Sequence, residues 1–172
     1  LLNLDFAFVK CPTTDVKDFF DNAREIGIEG FCVTIPHKSA VVPFLAEQTL
    51  EAKEAGAVNT VAWREGRWIG DNTDIHGIRA GLRSVSFDPT GKTVTILGAG
   101  GASKAAVVAV KGARKINVLP RLEVPKVQNY PCDLLINATP IGMYPNIDAS
   151  PVEGAIPAGV VFDMVYNPAI TR

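Results

Sequence analysis

The chain has 172 residues, 47% of them hydrophobic and 20% charged, with a formal net charge of −1, the balance of an ordinary globular protein of one large or two small domains. A near-neutral charge excludes a nucleic-acid or anionic-membrane surface, which needs a basic excess. No apolar run approaches the roughly 18 residues of a membrane span.

The first residues, Leu1-Leu2-Asn3-Leu4-Asp5, have neither the basic region nor the small-residue cleavage site of a signal peptide. With no initiator methionine, the chain is expected to start inside a longer protein. Its three cysteines, Cys11, Cys32 and Cys132, are odd in number and widely spaced, which fits neither a disulfide framework nor a zinc site. They read as buried or idle thiols of a protein in the reducing cytoplasm.

Leu4 to Val9 is a short apolar run that predicts a strand. Asp15 then stands as the N-cap of a helix carrying Val16, Phe19, Phe20, Ala23 and Ile26 on one face, closed by Gly27. Phe31 to Ile35 reads as a second strand ended by Pro36, and Ser39 to Ala46 and Thr49 to Ala55 as helices. Ala57 to Trp63 and Arg67 to Ile69 flank Arg64-Glu65-Gly66, a hairpin signal. A helix from about Ile75 to Arg83 follows, then a turn-rich junction over Ser84 to Gly91.

Beyond the junction the pattern changes. Thr93-Val94-Thr95-Ile96-Leu97 is a near-continuous apolar strand of the kind found in covered parallel sheets. It runs into Gly98-Ala99-Gly100-Gly101-Ala102-Ser103 and a helix from about Ala102 to Lys111, stopped by Gly112. Ile116 to Leu119, Leu134 to Asn137 and Val160 to Met164 repeat the buried-strand signature. Alternating strand and helix predicts a doubly wound α/β domain. Between Leu119 and Asp133 there are too few residues and too many prolines (Pro120, Pro125, Pro131) for a normal crossover helix. A stretch of the natural chain is expected to be absent there.

The glycine turn carries the first functional signal. Gly98 allows the sharp turn after the strand, Gly100 leaves room for a pyrophosphate, and the helix opening at Ala102 offers unpaired N–H groups and a positive dipole end. Ser103, a small residue, takes the third position of the dinucleotide pattern, where helix and strand pack closely. After the next strand comes Pro120-Arg121, with no acidic residue until Glu123, which leans toward NADP over NAD.

The second signal is Val33-Thr34-Ile35-Pro36-His37-Lys38 with Gly70-Asp71-Asn72-Thr73-Asp74. Alone, Lys38 reads as an exposed structural lysine. Asp74, with Thr73, reads alone as a helix N-cap. Together Thr34, Lys38, Asn59, Asn72, Thr73 and Asp74 all fall at strand ends or helix starts, where polar groups converge on a small hydroxylated molecule. A lysine, an aspartate and a nucleotide loop suggest proton transfer coupled to hydride transfer. His37 and His76 belong to no metal-ligand set, Trp63 and Trp68 are expected to pack between sheet and helix, and Met143 and Tyr144 are open between cofactor contact and packing.

The chain resembles the shikimate dehydrogenase family. The stretches that carry the resemblance are residues 31–38, Gly56-Ala57-Val58-Asn59-Thr60, Gly70 to Asp74 with Gly77, Gly98 to Ser103, Asn137-Ala138-Thr139-Pro140-Ile141-Gly142-Met143 and Asp163-Met164-Val165-Tyr166-Asn167-Pro168. The resemblance implies an α/β substrate-binding domain over residues 1–83, truncated at its start. A Rossmann-type NADP-binding domain over 84–172 follows, gapped near 119–133 and truncated at its end. It implies a cytoplasmic enzyme, monomer or homodimer, that reduces 3-dehydroshikimate to shikimate with NADPH on the way to chorismate and the aromatic amino acids. Lys38 would be the acid/base and Asp74 its partner; Thr34 and Asn59 would bind substrate hydroxyls, and Tyr166 would close on the carboxylate side. Gly98, Ala99, Gly100, Gly101, Ala102 and Ser103 would hold the pyrophosphate, Arg121 the 2′-phosphate, and Thr139 and Met164 the nicotinamide. The family's serine-rich substrate motif and C-terminal glutamine helix are not in this chain, and its Asn-Arg-Thr segment survives at best as Pro120-Arg121. A relative acting on quinate with NAD, or a silent ligand sensor, are the alternative readings.

Overall fold

A computed structural model describes residues 7–155 and 158–171. Its first half is built on a four-stranded mixed sheet. Helix α1 (Val16–Asn22) is capped by Asp15, whose carboxylate accepts from the backbone N–H groups of Lys17 and Asp18. Strands β1 (Gly30–Cys32), β3 (Thr60–Arg64) and β4 (Arg67–Asp71) are antiparallel neighbours, and the two-residue β2 (Glu47–Gln48) pairs parallel to β4 on the far edge. Glu65 and Gly66, with φ of 50° and 79°, make the tight turn between β3 and β4, the left-handed pair that a two-residue hairpin requires. Helix α2 (Leu50–Ala55) enters at Thr49, whose hydroxyl accepts from Ala52 N–H, and exits at Gly56 with φ +58°.

Aromatic residues fill this half. Phe20, Phe31, Phe44, Trp63 and Trp68 meet largely edge to face, the two tryptophans with ring centres 4.9 Å apart. Trp63 and Trp68 face each other in register across the hairpin and pack with Val58, Val61 and Phe20 as expected.

The second half is a four-stranded, all-parallel sheet in the order β6-β5-β7-β8: β6 Lys115–Leu119, β5 Thr93–Leu97, β7 Cys132–Asn137 and β8 Ala158–Asp163. Alternation splits its side chains between two faces. Val94, Ile96, Leu134 and Ile136 point to the face covered by α3 (Thr73–Ser84) and α4 (Gly101–Ala109), where Ile75, Ile78 and Leu82 of α3 and the small residues of α4 complete a fully buried core. Leu97, Leu119 and Leu135 point to the other face and pack with Val124 and Val127. Helix α3 follows the first sheet in the chain yet buries its apolar face against the second. Among the described residues no helix is long and apolar enough to cross a membrane.

Several expected elements take another form. Residues 4–6 of the first predicted strand lie outside the described residues, and 7–9 are irregular. The strand predicted over Phe31 to Ile35 ends at Cys32. Ser39 to Ala46 is not an α-helix. It makes turns and a single 3₁₀ turn over Val42–Phe44, because Pro43 has no N–H and the chain must then extend so that Ala46 N–H can reach Trp68 O at 3.0 Å beside β4. Strand β2 is what this extension forms, two residues too short to show a period. The link from β6 to β7 carries only a 3₁₀ turn, Val124–Asn129, matching the expectation of no normal crossover helix. Cys11 and Cys32 are exposed rather than buried, because the short strand and loop that hold them lie at the surface.

Two measurements test the packing. An Ala at Gly70 of β4 would place its Cβ 3.0 Å from both methyls of the fully buried Val58, so Gly70→Ala is expected to lower stability by about 1–3 kcal/mol in chemical denaturation. Burial raises the pKa of the Cys132 thiol and so lowers its thiolate fraction. In iodoacetamide labelling at mildly alkaline pH, Cys132 is expected to react after Cys11 and Cys32.

Candidate active site

The site forms where β4 hands over to α3 and the loop after β1 comes back beside it. The N-cap position of α3 is Asn72, and no side chain caps it. Asp74 lies in the first turn and is therefore free of the capping role open to it from sequence. Its carboxylate takes two partners instead: Lys38 Nζ donates to Oδ2 at 2.6 Å, and Asn59 Nδ2 donates to Oδ1 at 2.8 Å. The lysine and aspartate side chains are 15% and 23% exposed, so their attraction is screened far less than that of a surface pair.

Asn59 sets the geometry of this pair. It is buried just before β3. Its Oδ1 accepts from Thr73 N–H at 2.9 Å, Thr73 Oγ1 at 3.1 Å and Thr60 Oγ1 at 2.9 Å. The backbone donor fixes which end of the amide is oxygen, and so obliges Nδ2 to face Asp74. The backbone of Lys38 is held as well, because Val58 N–H donates to its carbonyl at 2.7 Å. An ammonium has three N–H bonds and Asp74 takes one, which leaves Lys38 able to donate to a substrate oxygen.

Not every residue of the predicted set joins this cluster. Asn72 turns inward and donates to Ala57 O at 2.8 Å. It anchors the start of α3. Thr34 is exposed beside Val33, whose N–H pairs with Asn59 O at 2.7 Å. Tyr166, 89% exposed, stands on the loop after β8, apart from the hydrogen-bonded group. Arg121 is exposed in the turn after β6. Of the two histidines, His37 meets Thr13 O at 3.1 Å and His76 lies 3.4 Å from Glu51.

The glycine turn joins β5 to α4 as expected. Gly98 has φ +105°, and a Cβ there would stand 2.9 Å from Ala138 O. A Cβ on Gly100 would meet nothing within 4 Å: the residue opens onto free space in front of α4. That helix has no side-chain cap, so its first N–H groups are available to an anion. Ser103 is 1% exposed against the strand. These features fit the pyrophosphate of a dinucleotide.

Beside the turn, two residues outside the predicted set organise the neighbouring loops. Asn137 and Asp163 end β7 and β8 in register. Asn137 Nδ2 donates to Asp163 Oδ1 at 3.0 Å, while its Oδ1 accepts from Thr139 Oγ1 at 2.7 Å. Asp163 also accepts from Thr171 Oγ1 at 2.7 Å, and Met164 N–H donates to Asn137 O at 3.1 Å. Thr139 and the Met164 backbone are thereby both tied to Asn137 at the end of β7. A polar residue at the C-terminal end of each apolar strand was the available signal.

A family model described as the shikimate dehydrogenase substrate binding domain matches residues 1–61. The NADP(+) shikimate dehydrogenase of Synechocystis sp. is 35% identical over 203 aligned positions, covering 98% of this chain and 70% of the relative. The chain belongs to the shikimate dehydrogenase family. The NADP(+) shikimate dehydrogenase of Microcystis aeruginosa is also 35% identical, with 99% and 72% covered. Among solved structures, shikimate dehydrogenase 1 of Peptoclostridium difficile superposes with a TM-score of 0.85 at 33% identity, over 95% of this chain and 67% of that one. The shikimate 5-dehydrogenase of Thermus thermophilus, solved with NADP(H) and shikimate, gives 0.73 at 28%, over 90% and 66%. A shikimate dehydrogenase fold thus carries the cluster built above.

Because Asn59 unites four donors and acceptors, Asn59→Asp would set a second carboxylate against Asp74. Loss of about 1–3 kcal/mol in stability is expected by denaturant titration, together with weakened binding of shikimate by calorimetry.

Proposed function

We propose that this chain reversibly reduces 3-dehydroshikimate to shikimate with NADPH, with Lys38 as the proton donor and Asp74 as its partner. The observation that carries the reading is the 2.6 Å Lys38–Asp74 pair, set beside the glycine turn of a shikimate dehydrogenase fold. NADPH bound at that turn supplies the hydride. As the carbonyl carbon is reduced, negative charge grows on its oxygen, and the Lys38 ammonium answers it by donating a proton. Asp74 keeps the ammonium aimed, and Asn59 keeps Asp74 aimed. In the reverse direction Lys38 takes the proton back.

In this reading Thr34 and Asn59 contact substrate hydroxyls and Tyr166 the carboxylate side. Gly98 to Ser103 hold the pyrophosphate, Arg121 the 2′-phosphate, and Thr139 and Met164 the nicotinamide. Residues 1–83 are the substrate-binding part and 84–172 the cofactor-binding part, a division supported by the separate sheets. We place a gap in the natural sequence near 119–133; that residues are missing somewhere along the chain is supported by alignments that run over 203 positions against a chain of 172 residues. The enzyme works in the cytoplasm as a monomer or homodimer.

Replacing the proton donor is the direct test. Lys38→Ala in the full-length protein is expected to lower kcat by about 10²-fold or more, followed by NADPH formation from shikimate. Near-normal turnover would sink the assignment. Parallel assays with NADH formation and with quinate check the cofactor and the substrate, and NADP with shikimate is expected to be the preferred pair.

A further inference from the structure

The dinucleotide pattern calls for glycine at Gly98 and Gly100 and a small residue at Ser103; Gly101 lies in the same pyrophosphate segment, but the pattern does not call for glycine there. Gly101 is the first residue of α4 and is not among the residues with positive φ, so its backbone does not require glycine. Its surroundings do. A Cβ on Gly101 would stand 2.9 Å from Cβ and 3.0 Å from Cδ of Lys38, closer than carbon atoms pack. The methylene stem of Lys38 lies flat on the helix start.

One turn on, the same helix reaches the residue after Lys38. Lys104 Nζ donates to Ser39 Oγ at 2.9 Å and approaches Gly56 O at 3.5 Å. Ser39 Oγ itself donates to Gly56 O at 3.0 Å. Gly101 and Lys104 thus contact the Lys38–Ser39 segment through its side chains, while Val58 N–H fixes the Lys38 carbonyl.

We propose that the first turns of α4 position the proton donor. Gly101 leaves the space that the Lys38 stem occupies, and Lys104 is a positioning residue that ties Ser39 down. The inference rests on the proposed role of Lys38 and adds residues that role does not name. Its physical basis is that a lysine has many rotamers, and a donor displaced by an ångström loses much of its effect. The helix that faces the nucleotide with its N–H groups also sets where the ammonium stands, so one rigid element aligns both.

The test compares Lys104→Met, Lys104→Arg, Gly101→Ala and Lys38→Ala by kcat at saturating shikimate and NADP+, with NADP+ affinity measured by calorimetry on the protein alone. Lys104→Met is expected to lose about tenfold in kcat with NADP+ affinity unchanged, Lys104→Arg to recover most of it, and Gly101→Ala to lose more, up to about 10²-fold. A Lys104→Met protein with normal kcat, or one whose whole loss lies in NADP+ affinity, overturns the inference. Normal turnover in Lys38→Ala overturns the reading of Lys38 and takes this inference with it. A dead Lys38→Ala beside a normal Lys104→Met overturns the inference alone. The lysine variants keep the test intact where Gly101→Ala fails to fold.

Discussion

The burial of α3 against the second sheet is the constraint on which the rest depends. The helix starts at the end of β4, in the first sheet, with Asp74 in its opening turn. Its face of Ile75, Ile78 and Leu82, each at most 2% exposed, is locked into the core of the second sheet. Arg79 extends the lock by donating to Val108 O and Ala109 O at the end of α4 while bonded to Glu51 of α2. The carboxylate of the site is therefore placed by apolar packing in the other half of the molecule. A close-packed core resists displacement, so the pair that Asp74 makes with Lys38 has a stationary partner.

Polar groups then convert a fixed helix into a fixed chemistry. Asn59 reads the position of Thr73 through its oxygen and reports it to Asp74 through its nitrogen. Asn137 does the same at the ends of β7 and β8, joining Asp163 to Thr139. Each is a nearly buried amide whose donors and acceptors are used on both sides, and a half-satisfied alternative would cost the desolvation of the group left alone. The aromatic cluster below β3 and β4 gives this arrangement its footing, since the same strands that pack Trp63 and Trp68 end beside the site at Thr60 and Asp71.

The two faces of the parallel sheet differ in cover. One carries two α-helices. The other carries a 3₁₀ turn whose Val124 and Val127 close over Leu97, Leu119 and Leu135. Twelve residues and three prolines between β6 and β7 allow no more than this, yet the parallel order is kept. The crossover spans a single strand, β5, and needs only reach.

Much was legible in the sequence because it depends on neighbours along the chain. The Asp15 cap, the Glu65-Gly66 turn, the apolar run of β5 and the glycine turn into α4 are local patterns, and they appear where local physics puts them. The sites at Lys38 and Asp74 were legible as candidates from their place at strand ends and from the family resemblance. What one dimension does not carry is direction. That Asn72 turns inward while Asn59 turns to the carboxylate, that residues 39–46 extend to feed a two-residue edge strand, and that Gly101 makes room for Lys38 all depend on partners 15 or more residues away along the chain. Pairing and close approach between distant segments are decided by how the helices pack on the second sheet and on one another. The sequence by itself determined the elements and the chemical groups, and the tertiary structure alone decided which groups meet, because that choice is made by burial of α3 and α4 against the second sheet.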